Sequence, residues 1–136
     1  MSTIEPGRLF RMPVTVRWGD MDAFNHVNNS VYATYLEEVR LRWFASIQGP
    51  WVDASMGPVV ASMRIEFRRP IEWPEELSVS MSCERVGRSS LTLPFAMHSA
   101  TDPSVLYAEG STVLVWIDRG SGKSIDLPEH VRAACA

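Results

Sequence analysis

One long stretch of this chain, and one only, repeats with a helical period. From Asn29 to Ile47 the apolar residues Tyr32, Leu36, Val39, Trp43 and Ile47 are spaced by four, three, four and four, which places them on one stripe of an amphipathic helix. The remaining apolar residues read mostly as strands. A single helix cannot cover both faces of a sheet, and a sheet must bury its apolar face against something. The expected architecture is therefore α+β: a curved, mostly antiparallel sheet of five to six strands wrapped around one long central helix. Pairing with a second copy would then cover an exposed edge or face.

The helix has boundaries written in the sequence. Asn28 or Asn29 is suited to cap its start, because a short side-chain acceptor satisfies an amide with no partner inside the helix. Glu38 precedes Arg42 by four residues, and Gly49 and Pro50 end the segment. Ahead of it, residues 1 to 12 read as a loose lead-in and V-T-V-R-W from Val14 as a strand stopping at Gly19. Gln48 to Pro58 reads as a loop. Strands are expected at Val59 to Arg68, Leu77 to Arg85, Ser90 to His98 and Leu106 to Ile117, the second and third joined as a hairpin through Val86 to Ser89. The last strand has few polar positions and is expected to be central in the sheet. Asp118 to Lys123 reads as a turn and Pro128 to Ala136 as a short terminal helix. Trp18, Trp51, Trp73 and Trp116 would fill the core or an interface. At 136 residues, the whole of 1–136 is expected to form one domain.

Several functions are disfavoured. Thirteen basic against sixteen acidic side chains leave a net charge of −3, which argues against a protein built to grip a phosphate backbone, so no nucleic-acid partner is expected. No apolar run approaches the roughly 20 residues that cross a bilayer, and Met1 to Phe10 lacks a secretory apolar core. The expected address is cytoplasmic, without a membrane partner. Cys83 and Cys135 are too few and too distant in sequence to suggest a disulfide framework, a zinc site or a redox pair. There is no nucleophile elbow, glycine-rich phosphate loop or dinucleotide fingerprint.

What stands out is polar density just before the helix. Residues 20 to 28 contain Asp20, Asp22, Asn25, His26 and Asn28. Two carboxylates so close suit a hard metal ion, an acid and base pair, or anchors for loop amides; a metal would need several more ligands, for which only Asn25, His26, Asn28 and Asn29 are near. His26 suits a general base or a residue that holds the turn. Arg88 and Ser89 in the G-R-S-S turn suit a phosphate contact or a plain turn; Arg68 and Arg69 suit a basic rim or a solvated strand end. The unpaired amides of a helix start carry partial positive charge and would polarise a carbonyl oxygen placed there. A carboxylate on the other side of that carbonyl would attack it or activate a water, so acyl transfer or hydrolysis fits better than phosphoryl or hydride chemistry.

The residues Asp20, Asp22, His26, Val27, Asn28, Asn29, Tyr32, Glu37 and Arg40, within D-M-D-A-F-N-H-V-N-N and Y-x-x-Y-L-E-E-V-R, resemble the hotdog-fold acyl-CoA thioesterase superfamily, in its branch similar to 4-hydroxybenzoyl-CoA thioesterase. R-I-E-F-R-R-P-I, G-R-S-S and the closing strand extend the resemblance over nearly the whole chain. It implies hydrolysis of an acyl-CoA thioester to free acid and coenzyme A, with no cofactor or metal, in a homodimer or a tetramer made from dimers. By this resemblance Asp22 is the nucleophile or general base and the backbone N–H of Asn29 polarises the carbonyl. Asp20, Asn25, His26, Asn28, Glu37 and Arg40 order the loop, and Arg68, Arg69, Arg88 and Ser89 are the coenzyme A contacts. Many relatives have glycine where Asn25 stands, and asparagine is among the residues that best tolerate a left-handed backbone. The alternative is a hotdog domain that binds an acyl or other hydrophobic ligand with little or no turnover.

Overall fold

In a computed structural model, which describes residues 8–135, the one long helix lies against a curved antiparallel sheet, as the hotdog fold requires. The strands are β1 (Arg8–Thr15), β2 (Met56–Phe67), β3 (Glu76–Ser82), β4 (Arg85–Val86), β5 (Ser90–Ser99) and β6 (Leu106–Asp118). The helices are α1 (Asn29–Ser46) and α2 (Glu129–Ala134). Strand order is β1-β3-β5-β6-β2, with the short β4 pairing with β5. Every pairing is antiparallel.

α1 forms where its apolar period begins. Asn28 caps it by accepting the Ser30 amide at 3.0 Å. At the other end the Ile47 amide returns to the Phe44 carbonyl, and Gly49, at φ +117°, turns the chain away. Tyr32, Leu36, Val39 and Trp43 are buried as the stripe requires, and Tyr35, Arg40 and Phe44 join them. The Glu38–Arg42 pair closes at 2.6 Å on the solvent side.

Residues 1–7 of the expected lead-in lie outside the described residues, but Arg8 to Met12 are already strand. Their hydrogen bonds run to β3, where Phe10 sits opposite Met81 and Met12 opposite Val79, so partner edges override the weak local pattern. The strand expected through Trp18 instead ends at Thr15, because the Asp20 amide turns back to the Arg17 carbonyl in a 3-10 turn over Trp18–Asp20. β2 likewise starts at Met56, inside the expected loop, where pairing with Asp118 of β6 begins. β6 lies inside the sheet between β5 and β2, but the central place expected for it is held by β5.

The core divides along α1. Val27, Tyr32, Leu36, Ile71 and Met97 belong to a cluster at the helix start. Phe44, Leu114 and Trp116 belong to a second cluster at its end, against which α2 seats Val131. Gly110 of β6 permits close approach of β2: a side-chain β-carbon there would lie 1.9 Å from the Arg64 carbonyl oxygen. Trp116 and Trp51 pack in the second cluster, while Trp18 and Trp73 pair edge to face at 5.1 Å on the surface. Cys83 and Cys135, far apart in sequence, pack on that second cluster as neighbouring free thiols. Burial, followed by the Cys83 thiol, pushes the Cys135 thiol up to about 12, which leaves it protonated at neutral pH. No helix among the described residues is long and apolar enough to cross a membrane.

Candidate active site

The loop between β1 and α1 is tied down at Asp20. Its carboxylate is buried and accepts from the Arg17 amide at 3.0 Å and the Tyr35 hydroxyl at 2.6 Å on one oxygen. The other oxygen accepts the Arg17 guanidinium, from Nε at 3.2 Å and Nη2 at 3.0 Å. Burial pushes this carboxyl up, but the Tyr35 and Arg17 hydrogen bonds outweigh it and hold the group below the usual aspartate range. The ionised form is therefore stabilising at neutral pH, and that contribution fades only as pH falls through the lowered value. The Asp20 carbonyl adds a further tie by accepting the Asn28 amide at 2.9 Å.

Asp22 builds the next turn from its own side chain. Its Oδ1 accepts the Phe24 amide at 2.8 Å and the His26 amide at 3.3 Å, while its backbone N–H donates to the His26 carbonyl at 2.8 Å. Its Oδ2 accepts no hydrogen bond among the described residues. The turn needs a left-handed residue, and Asn25 supplies it at φ +61°. Asn25→Gly should change unfolding free energy by less than about 0.5 kcal/mol, whereas Asn25→Val should cost about 1–2 kcal/mol. Urea denaturation checks this, and coincident midpoints for the two variants would refute it.

The amides approaching the helix are nearly all engaged. His26 donates to Asp22 Oδ1, Val27 to the Ile71 carbonyl and Asn28 to the Asp20 carbonyl; Ser30 and Val31 donate to the side chain and carbonyl of Asn28. Asn29 is the exception: its N–H has no acceptor among the described residues. It stands at the first position of α1, where helix geometry leaves an amide open.

Asp22 and Asn29 line one open cleft of about 420 Å³, together with Phe24, His26, Val27, Tyr32, Phe67, Arg68, Arg69 and Pro70. Phe67 meets the buried Tyr32 edge to face at 4.9 Å. The cleft thus combines an aromatic wall, a carboxylate, an open helix-start amide and two arginines.

The model of the thioesterase-like superfamily matches residues 16–135, which include every one of these lining residues. The chain belongs to the thioesterase-like superfamily. Within it, the chain falls in the hotdog-fold branch similar to 4-hydroxybenzoyl-CoA thioesterase. It is similar to the PA2801 protein from Pseudomonas aeruginosa, 38% identical, with 95% of this chain and 99% of that one covered at a TM-score of 0.89. It is also similar to a thioesterase from Thermus thermophilus whose structure holds coenzyme A and zinc, at 33% identity, 96% and 94% coverage and a TM-score of 0.80. The long-chain acyl-CoA thioesterase FadM of Escherichia coli (strain K12) is 26% identical over 88% of this chain and 91% of its own length.

Against this hotdog-superfamily background, the residues singled out from sequence separate into groups. Asp22, His26, Asn29, Arg68 and Arg69 meet in the cleft. Asp20, Asn25 and Asn28 stand behind them in the loop. His26 enters the loop's hydrogen bonding through its backbone, and its ring makes no hydrogen bond among the described residues. Arg68 is paired at 2.9 Å with Glu109, whereas the Arg69 side chain makes no such hydrogen bond among the described residues. Arg88 and Ser89 are not in the lining: Arg88 binds Asp126 at 2.5 Å, and the Ser89 carbonyl accepts the Trp116 amide. Glu37 is exposed and Arg40 buried, and no hydrogen bond among the described residues ties either to the loop. Burial lowers the Arg40 pKa, with Glu37 opposing that shift. No group of three or more His, Cys, Asp or Glu among the described residues is placed to hold a metal ion.

Sequence reasoning gave no site role to Arg17, Tyr35, Phe67 or the Ile71 carbonyl. Arg17, three residues before Asp20, could have been found from the R-W-G-D spacing. The Ile71 carbonyl comes from a distant loop and leaves no local pattern.

Proposed function

We propose that this protein hydrolyses an acyl-CoA thioester to the free acid and coenzyme A. The observation that carries this reading is the pairing, in one cleft, of the open Asn29 amide with a carboxylate whose second oxygen is uncommitted. The thioester carbonyl oxygen sits at the Asn29 N–H, which strengthens its hold as negative charge develops. Asp22 Oδ2 then attacks the carbonyl carbon, or removes a proton from a water that does so. Direct attack forms a mixed anhydride as the carbon–sulfur bond breaks, and water resolves the anhydride; in either route coenzyme A leaves as its thiolate and is then protonated.

Arg69 and Arg68 at the mouth suit the phosphates of coenzyme A, with Arg69 the freer cation. The aromatic wall of Phe24, Tyr32 and Phe67 suits the acyl group. The working unit in this reading is a homodimer formed through β2, which pairs only with β6 among the described residues and exposes Val59, Val60 and Phe67 along its length. The acyl-CoA relative and the coenzyme A-bound neighbour support the substrate class.

The deciding experiment measures free thiol released from short-, long- and aromatic-chain acyl-CoA substrates by the wild type and by Asp22→Asn. Release by the wild type and its loss in the variant are expected. Tight binding of intact thioesters without release from any of them would instead establish a binding domain.

A further inference from the structure

Tyr35 is not in the cleft lining, yet its hydroxyl reaches the residue that fixes the cleft's helix end. We propose that Tyr35 is a positioning residue for the reaction: by holding Asp20, it fixes the Asn28 amide and so the direction in which the neighbouring Asn29 N–H points. This inference rests on the hydrolytic reading above and adds to it a residue that acts only through others.

The chain of contacts is short. The Tyr35 hydroxyl donates to Asp20 Oδ2 at 2.6 Å, and the Asp20 carbonyl accepts the Asn28 amide at 2.9 Å. Asn28 caps α1, and Asn29 is the first residue inside it. Tyr35 stands on that same helix less than two turns further on, so the helix grips the loop that delivers its own start. Arg17 also binds Asp20, through its backbone amide at 3.0 Å and through a side chain that is 77% exposed, where water and salt weaken the pairing. The Tyr35 hydroxyl is the buried anchor. Burial and donation to Asp20 raise its pKa, so it remains a donor throughout the working range of pH.

Placement matters because an oxyanion donor works only within about 2.7–3.1 Å of the developing charge. Removing the hydroxyl leaves the Asp20 carboxylate to Arg17 alone and loosens the Val27–Asn28 peptide, whose N–H the Asp20 carbonyl holds, and with it the placing of the next amide, that of Asn29. The ground-state carbonyl asks little of that amide, whereas the transition state asks much, so the loss belongs in kcat.

The test compares Tyr35→Phe, which keeps the ring and deletes the hydroxyl, with Tyr107→Phe. Tyr107 likewise donates its hydroxyl to a carboxylate, that of Glu75, but among the described residues has no hydrogen bond to the helix start. Tyr35→Phe should lower kcat about tenfold with KM within about twofold of wild type, a loss of one oriented hydrogen bond. It should also speed hydrogen exchange at the Asn28 amide. Tyr107→Phe should lose comparable thermal stability and keep kcat. Wild-type kcat in Tyr35→Phe, unchanged Asn28 exchange, or an equal fall in both variants would overturn the proposal. Those results, with an active wild type and an inactive Asp22→Asn, would leave the hydrolytic reading standing; a wild type inactive on every thioester would remove that reading first.

Discussion

Asp22→Asn should reduce kcat for thioester hydrolysis by about 10²–10⁴-fold while leaving the protein folded, the range expected when a nucleophile or general base is removed. The two effects separate because the carboxylate divides its work between its oxygens. Oδ1 holds the Phe24 and Asn25–His26 turn by accepting two amides, and an asparagine carbonyl can occupy the same place. Oδ2 is the uncommitted oxygen, and the substitution turns it into an amide nitrogen with no basic lone pair to offer. KM should stay near wild type, since the arginines and aromatic wall are untouched. The measurement is thiol release at saturating substrate alongside circular dichroism; full turnover with an intact fold would eliminate Asp22 from the chemistry.

The second large effect concerns stability. Trp116→Ala should destabilise the fold by about 3–5 kcal/mol, the usual range for truncating a large buried aromatic. For a domain of this size that corresponds to a fall in Tm of roughly 10–20 °C. Trp116 is fully buried, meets Phe44 edge to face at 5.5 Å and donates its indole N–H to the Trp51 carbonyl at 3.1 Å. Truncation therefore opens a cavity between α1 and β6 and leaves the Trp51 carbonyl without that donor. Because this cluster lies at the far end of α1 from the cleft, kcat at low temperature should change little. A Tm within about 3 °C of wild type, by thermal unfolding, would contradict the packing described.

Much of this architecture was legible from local pattern. The spacing of Tyr32, Leu36, Val39 and Trp43 located α1, and Asn28 and Gly49 marked its ends within a residue or two. The alternation from Leu77 to Cys83 located β3. What escaped was set by contacts distant in sequence. Arg8 to Met12 look like a loose terminus until β3 offers them an edge, and Met56 looks like loop until Asp118 pairs with it. Cys83 and Cys135 look unrelated because nothing local records that α2 folds back over the end of β3.

The loop behaved similarly. The left-handed turn at Asn25 came from the motif resemblance, in which glycine often holds that place, and asparagine is among the few other residues that adopt that backbone cheaply. The convergence of Asp22, Asn29, Arg68 and Arg69 was not readable from spacing alone: the arginines follow β2, far along the chain from the loop, and arrive through the fold. The motif resemblance supplied that convergence. It also pointed to Arg88 and Glu37, whose surroundings in this chain are Asp126 with Ser124 and open solvent. Tyr35 sat in the quoted motif without a role, since a tyrosine beside an apolar stripe reads as core until its hydroxyl is seen to meet Asp20.

Phe67 belongs both to the β2 edge, which is unpaired among the described residues, and to the wall of the cleft. If two copies join along that edge, the wall is finished only in the joined form, and the reaction inherits the mass-action behaviour of the assembly. Turnover per chain should then fall as the enzyme is diluted through its dissociation constant, and should recover on reconcentration. A specific activity that stays flat while sedimentation records the shift to single chains would make each copy self-sufficient. Protein concentration would thus act as a setting on catalytic output, with no effector required.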